Sequence, residues 1–406
     1  MDRVHRLAVV ALHPIQYQAG LWRTMAAHPR LDVEVLYLDT MGIDGTIEPT
    51  TGNRLAWDLP LLDGYKYRFI RNLSPARFTA IVERINPWLP IALLNGRFDA
   101  VLFHGWLPLS NWLGVATAAA RRMTVVYRGE GSMHQTSVHE GLFKRVKHAA
   151  NALFLRRADA VAYSSRDNRD YQLSRGARPA SLFSMPCAID NEMLADAVAD
   201  VERDAVRARL GLAEPAVVWL SAGRFTERKR MGDIVAALGD AAIDPTTQLL
   251  IAGAGPLQAE LATQAETLGL ADRVHLLGFL NQREMLEVMT ASDVFVMASS
   301  MDPSPKAMSE ALFLGLPVVC SDRVGTCDDL VSERNGFAYP CGDVPALAAR
   351  LAELADPALR QRLSQGSRAV AAENDFRAAT RLLIAKLDEL AAGLDGRRET
   401  LENEAT

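Results

Sequence analysis

Two carboxylates, Asp302 and Glu310, flank a lysine, Lys306, in the stretch "MDPSPKAMSEALFLGLPVV" from Met301 to Val319. Pro303 and Pro305 forbid a helix running back through the loop, and proline suits a first helical turn. The spacing predicts a helix from about Lys306 to Leu314, closed by Gly315, with a strand through LPVV. The start of such a helix offers free N–H groups and a partial positive charge, which suit phosphate. A lysine there opposes the helix dipole unless an anion is bound beside it. Taken alone, Glu310 is as well explained as one charge on a solvated helix face.

Two further turns carry similar chemistry. In "WLSAGRFTERKR" a strand ends at Gly223, and Arg224 and Lys229 follow. Arginine offers a planar fork to phosphate oxygens and lysine a mobile point charge. A solvated basic turn would carry the same residues. In "LLIAGAGPLQAEL" Gly253 and Gly255 mark a strand-to-helix turn, but Gln258 stands where a dinucleotide fingerprint needs its third glycine. Either a backbone approaches a ligand closely there, or the chain simply turns tightly.

Something must hold these turns together. Short β-rich runs alternate with helical patterns along most of the chain. The strand candidates are RLAVVAL, DVEVLYL, YKYRFI, DAVLFHG, MTVVYRG and DAVAYSS, then AVVWLSAG, QLLIAGAG, VHLLGF, DVFVMAS and LPVVCSD. Continuous apolar strands joined by helices imply parallel sheets covered on both faces. A charge-mixed, weakly patterned stretch, Asp190 to Glu214, separates the two series. The expected architecture is α/β, with two Rossmann-like domains facing each other across a cleft. They would span residues 1–192 and 193–378. Residues 379–406 would form a helix able to pack back on the first domain, with a frayed tail after Asp395. Ligands of open α/β sheets bind outside the carboxyl ends of the strands, so the chemistry belongs on loops entering that cleft.

Composition excludes several classes. With 49% hydrophobic and 23% charged residues in 406, the chain is ordinary globular protein. A net charge of −5 argues against a general polyanion binder, and no nucleic-acid partner is expected. Cys187, Cys320, Cys327 and Cys341 form no CxxC pair and no zinc-like spacing, as expected of reduced cytosolic thiols. The apolar run Leu7–Leu12 is too short for a signal peptide and reads as a buried first strand. The expected location is cytoplasmic, at most peripheral at the inner face of the membrane.

The three turns together resemble the donor domain of glycosyltransferase family 4, a GT-B family. Its pattern is G-R-x(4)-K after a strand, a GxGP turn, then E-x(7)-E leading into a helix ending G-x-P-V-V. Here the pieces are Gly223-Arg224 with Lys229, GAGP, Asp302-x(7)-Glu310 and GLPVV, and "SERNGFAYPCGD" is similar to a further family segment. The resemblance implies that Arg224 and Lys229 neutralise the donor diphosphate. Glu310 would hold the nucleotide ribose, and Asp302 hydroxyls of the transferred sugar. Gly223, Gly255 and amides around Lys306 and Ala307 would meet the donor, with Phe279 near the nucleobase. Catalysis is implied to rest on Arg224, Lys229 and Asp302. Asp302 replaces the usual Glu, and Pro305 the usual Gly, removing one amide donor.

The first half resembles a bacterial branch associated with surface glycans, through "HPIQYQAG", "WDLPLLDGYKYRF" (Trp57 to Phe69) and "FHGW" (Phe103 to Trp106). His13, Gln16, His104, Arg128 and Glu130 follow strand candidates and are cleft candidates for donor or acceptor. Relatives often carry His where Arg128 stands. "GLFKRVKHAANALFLRR" (Gly141 to Arg157) has one apolar stripe: Leu142, Phe143, Val146, Ala149, Ala150, Leu153 and Phe154. It is either a core-facing helix with a basic outer face or a contact for anionic lipid or a lipid-linked acceptor.

The implied activity is retaining transfer of a hexosyl-type sugar from a UDP- or GDP-sugar to a glycan or lipid-linked acceptor. No cofactor and no metal are expected, since the sequence holds no DxD motif and no His cluster. A sugar-nucleotide epimerase or phosphorylase of the same fold, and a non-catalytic partner subunit, remain alternatives. A nicotinamide enzyme is disfavoured by Gln258.

Overall fold

The computed structural model describes residues 3–43, 60–74, 84–135, 141–212 and 216–404. Trp57 to Leu59, and the side chains of Leu142, Phe143 and Lys144, lie outside what is described.

The first domain is built on seven parallel strands: β1 (His5–Ala11), β2 (Leu31–Tyr37), β3 (Lys66–Phe69), β4 (Ala100–His104), β5 (Thr124–Arg128), β6 (Ala160–Tyr163) and β7 (Leu182–Ser184). Their order is β3-β2-β1-β4-β5-β6-β7. The second has β8 (Val218–Ala222), β9 (Gln248–Ala252), β10 (Val274–Gly278), β11 (Val294–Met297), β12 (Val318–Ser321) and β13 (Gly336–Tyr339), in the order β10-β9-β8-β11-β12-β13. In each sheet the order reverses beside its first strand, which opens a crevice at the carboxyl ends. This is the two-domain Rossmann-like, GT-B arrangement. Alternating residues of the strands enter two cores per sheet: Val9 and Leu102 lie on one face of the first sheet, Val10 and Phe103 on the other.

Strands β7 and β13 are absent from the expected set. β7 is three half-buried residues at a sheet edge, and β13 is a short edge strand opened by Gly336, so neither carries a long apolar run. The stretch from Asp190 is also more ordered than its mixed charge suggests. It holds helices Asn191–Val198 and Arg203–Arg209, with Leu194 and Val206 buried. Its charges are structural: Arg203 and Arg207 both reach Asp293, at 2.7 and 3.3 Å, at the start of β11.

The chain crosses between domains again near Asp375, which bridges to Ile189. The helix Phe376–Glu404 then packs on the first domain. Phe376, Ala379, Leu383 and Leu387 share a core with Trp22 and Met25, and Asp388 binds His5 and Arg30 at 2.8 and 2.6 Å. The helix continues past Asp395 to Glu404.

Candidate active site

The carboxyl ends of β8, β10 and β11 face the first domain across a pocket of about 510 Å³. Gly223 ends β8 in a left-handed conformation (φ +147°), and a side chain there would sit 3.1 Å from Cε of Lys229. The backbone therefore passes close under the lysine, and Gly223 lines the pocket. Lys229 forms an ion pair with Asp302 from the loop after β11, with 11% and 15% of the two side chains exposed. The Asp302 carbonyl accepts from the Gly325 amide at 2.8 Å, which anchors that loop.

Pro305 then opens the helix Lys306–Phe313, which ends with Gly315 at φ +80°. Lys306 and Ala307, at its start, line the pocket, and the helix has no acidic residue in its first turn. Lys306 turns toward the other domain: its Nζ donates to Cys187 Sγ at 2.9 Å and to the Ala188 carbonyl at 3.4 Å. Glu310, one turn on, is 3% exposed and also lines the pocket. Burial raises its pKa above the usual carboxylate value, opposed by an N–H from Gln282 and by the charge of Lys306.

Gln282 and Gln16 link the domains. Gln282 Nε2 donates to Glu310 Oε1 at 3.0 Å, while Gln16 Nε2, at the start of helix Gln16–Ala27, donates to Gln282 Oε1 at 3.3 Å. Gln282 opens a helix capped by the Asn281–Glu284 capping box, and that box was the sequence signal that could have pointed to it. Tyr17, Met285 and Ser304 also line the pocket and were not singled out by sequence. Ser304 Oγ lies 3.2 Å from Ser164 Oγ of the first domain. Phe279, just past β10, stands at the rim with 77% of its surface exposed.

Two expected donor residues sit elsewhere. Gly255 does not line the pocket; a side chain there would strike the Phe225 backbone at 2.5 Å, so this glycine lets the GAGP turn pack on the turn after β8. Gly253 has the same role, since a Cβ would lie 1.9 Å from the Gly223 carbonyl oxygen. Arg224 is exposed and outside the pocket lining.

Among the first-domain candidates only Gln16 lines the pocket. His13 binds the Pro14 carbonyl at 3.1 Å, and burial, then Arg84, depresses its pKa. His104, Arg128 and Glu130 form a separate group at the ends of β4 and β5. His104 is pushed down to about 4 by burial, with Arg128 and Lys306 adding to the effect, so it is neutral near pH 7 and accepts from Gln18 Nε2 at 3.1 Å. Glu130 is exposed, although surrounding protein partly desolvates its carboxylate. Partial desolvation raises its pKa, but Lys306, Arg128 and His104 outweigh it and the net shift is downward.

The Gly141–Arg157 region has a different face from the expected stripe. Phe154, Leu155 and Asn151 turn inward, whereas Val146 and Leu153 are exposed beside Arg145, Lys147, Arg156 and Arg157. No group of three or more metal-ligating side chains lies among the described residues.

Fold and pocket together define a GT-B protein whose interdomain pocket is lined by two lysines and two carboxylates. Residues 202–370 match the family model described as "Glycosyl transferases group 1". The chain is 29% identical over 300 residues to 2-deoxystreptamine glucosyltransferase of Streptomyces kanamyceticus, covering 69% of this chain and 76% of that protein. It is 31% identical over 180 residues to an amylovoran biosynthesis glycosyltransferase of Erwinia amylovora, covering 43% of this chain and 44% of that one. In fold it is similar to HepE of Anabaena, solved in complex with UDP, with a TM-score of 0.71 and 18% identity over 95% of this chain and all of that one. The chain thus has the GT-B fold and is similar to the group 1 glycosyl transferases over residues 202–370.

Proposed function

We propose that this chain is a metal-independent, retaining glycosyltransferase of family 4 type, moving a hexosyl sugar from a UDP- or GDP-sugar to a glycan or lipid-linked acceptor. The observation that carries the reading is the convergence of Lys229, Asp302, Lys306 and Glu310 on one interdomain pocket. The names of the glucosyltransferase and amylovoran relatives, and the UDP bound to the Anabaena protein, support a nucleotide-sugar donor and a glycan product.

In this reading Glu310 accepts the ribose hydroxyls once Gln282 yields its place. Phe279 covers the base, and Asp302 orients the sugar. The diphosphate lies over the Lys306–Phe313 helix start beside Lys229, with Arg224 swinging in from the surface. These cationic groups stabilise charge developing on the leaving phosphate. The bond from the anomeric carbon to the phosphate oxygen breaks as the acceptor oxygen attacks the same face. The acceptor proton passes to the departing oxygen, and no enzymic nucleophile of the glycosidase kind is used. The exposed apolar and basic residues of Gly141–Arg157 would lie against an anionic membrane at the cytoplasmic face. Among the described residues no helix is long and apolar enough to cross a membrane.

The test is incubation of the purified chain, with EDTA present, with UDP- and GDP-hexoses and a simple alkyl or lipid alcohol acceptor. Proton NMR then reads the anomeric coupling of the product. Transfer or donor hydrolysis with the donor's configuration kept is expected. Inversion would overturn the retaining mechanism, and absence of any turnover would favour a non-catalytic subunit.

A further inference from the structure

Arg128 closes β5 and is buried, with 5% of its surface exposed. Its Nε and Nη1 nonetheless have no hydrogen-bond partner among the described residues. Its backbone is fixed: the carbonyl accepts from the Gly105 amide at 2.9 Å, and the residue pairs with His104 across β4 and β5. A buried guanidinium whose N–H groups are unpaired destabilises the fold, because its lost hydration is not replaced. Such a group persists where a ligand completes it.

The surroundings say what kind of ligand. His104, Glu130 and Lys306 lie close enough to Arg128 or to one another to perturb each other's ionisation. His104 is neutral near pH 7, so Arg128 and Lys306 face Glu130, and Lys306 is shared with Glu310. A sugar hydroxyl could occupy an N–H but leaves the guanidinium charge to Glu130 alone. A planar or tetrahedral oxyanion would occupy the N–H groups and share in balancing that charge, and the arginine fork matches it. Arg128 lies outside the donor pocket lining, but Lys306 is shared between the two groups, so titration of UDP and GDP into Arg128→Gln decides whether its oxyanion is separate from the donor diphosphate.

We propose that Arg128 is a receptor for a carboxylate or phosphate carried by a substrate, so that this cleft handles an anionic sugar or an anionic acceptor. The inference rests on the transferase reading for what enters the cleft, whereas the fork itself is testable separately. The group would sit either on the transferred sugar, as in a nucleotide hexuronate, or on the acceptor.

The experiment compares wild type and Arg128→Gln by calorimetry. UDP and GDP are titrated first, and this step alone tests the donor pocket. One arm then compares UDP-glucuronate with UDP-glucose, and GDP-mannuronate with GDP-mannose. The other titrates inorganic phosphate or free glucuronate into protein saturated with the nucleoside diphosphate that binds. An oxyanion preference in at least one arm is expected, with Arg128→Gln weakening it about 10- to 100-fold and leaving the nucleoside diphosphate affinity unchanged. A response in the first arm places the group on the sugar, and one in the second places it on the acceptor. If no nucleotide binds, the transferase reading falls, and the second arm run without nucleotide still judges the fork. No oxyanion binding in either arm, or binding equal in Arg128→Gln, overturns the proposal. Arg128→Met adds a stability readout. Removal of a buried guanidinium with unpaired N–H groups should raise the melting temperature of the free protein, and a fall would show that Arg128 serves the fold instead.

Discussion

Lys229 and Asp302 form an ion pair across the mouth of the pocket, one from the turn after β8 and the other from the loop after β11. The pair holds the two loops at a set distance before any donor arrives. In the proposed function the lysine must share itself between an internal carboxylate and an incoming diphosphate. Lys229→Met is expected to lower the transfer rate at saturating donor about 100-fold. It should also destabilise the protein by about 2 kcal/mol, less than for a fully buried pair, because the side chains are 11% and 15% exposed. The double variant Lys229→Met/Asp302→Asn should regain most of that stability without regaining transfer. Urea unfolding and a transfer assay on the same samples check both; a Lys229→Met variant with near-normal turnover would remove the lysine from the mechanism.

Glu310, the proposed ribose ligand, would trade stability for binding. Its pKa in the folded protein is raised by burial, so between the usual carboxylate value and the folded value the native state holds more protons than the unfolded chain. Stability therefore falls as pH rises through that window. Glu310→Gln should melt higher than wild type at pH 7, and the gain should vanish as pH drops below the usual carboxylate range. The same variant should bind UDP or GDP about 10-fold or more weakly, since charge-assisted hydrogen bonds to the ribose are lost. Melting curves at pH 7 and pH 4 decide the first part and calorimetry the second.

His104 gives the opposite slope in acid. Burial, then Arg128, depresses its folded pKa to about 4 from 6.5, so the unfolded chain binds the extra proton first as pH falls. The protein should lose up to about 2 kcal/mol from this residue between pH 7 and pH 5. His104→Gln, which can still meet Gln18, should lose less over the same interval. Equal pH slopes in the two proteins would contradict a buried neutral histidine.

Phe279 is a large apolar residue left 77% exposed at the pocket rim. Stacking under a base, as proposed, would account for that exposure. Phe279→Ala should weaken nucleotide binding about 10-fold, in the range of base–aromatic stacking, while stability changes by less than about 0.5 kcal/mol. A binding constant unchanged by the substitution would leave the rim without a base.

Strands with continuous apolar runs, such as β1, β8 and β12, were legible because a buried parallel strand needs apolar residues on both faces. β7 and β13 were not, because edge strands of three and four residues need little apolar sequence. Lys229, Asp302, Lys306 and Glu310 were legible as a set only through the resemblance of the three turns to a family pattern, since each stretch taken alone also suits a solvated surface. The contact of Lys306 with Cys187 joins residues 119 positions apart, and the Gln16–Gln282 contact residues 266 apart. Such pairs depend on how the domains dock, which no local pattern records. Gly255 shows the reverse: a glycine-rich turn suggested ligand approach, and its space is filled by the Phe225 backbone.

The most direct test of the nucleotide-sugar reading is differential scanning of the purified protein against UDP-, GDP- and ADP-sugars. At 100 times its dissociation constant a native-state ligand adds about 2.7 kcal/mol of stability. One nucleotide series should raise the melting temperature of wild type, with the shift reduced in Lys229→Met and in Glu310→Gln. No shift with any of the three series would contradict the assignment of this pocket to a nucleotide sugar.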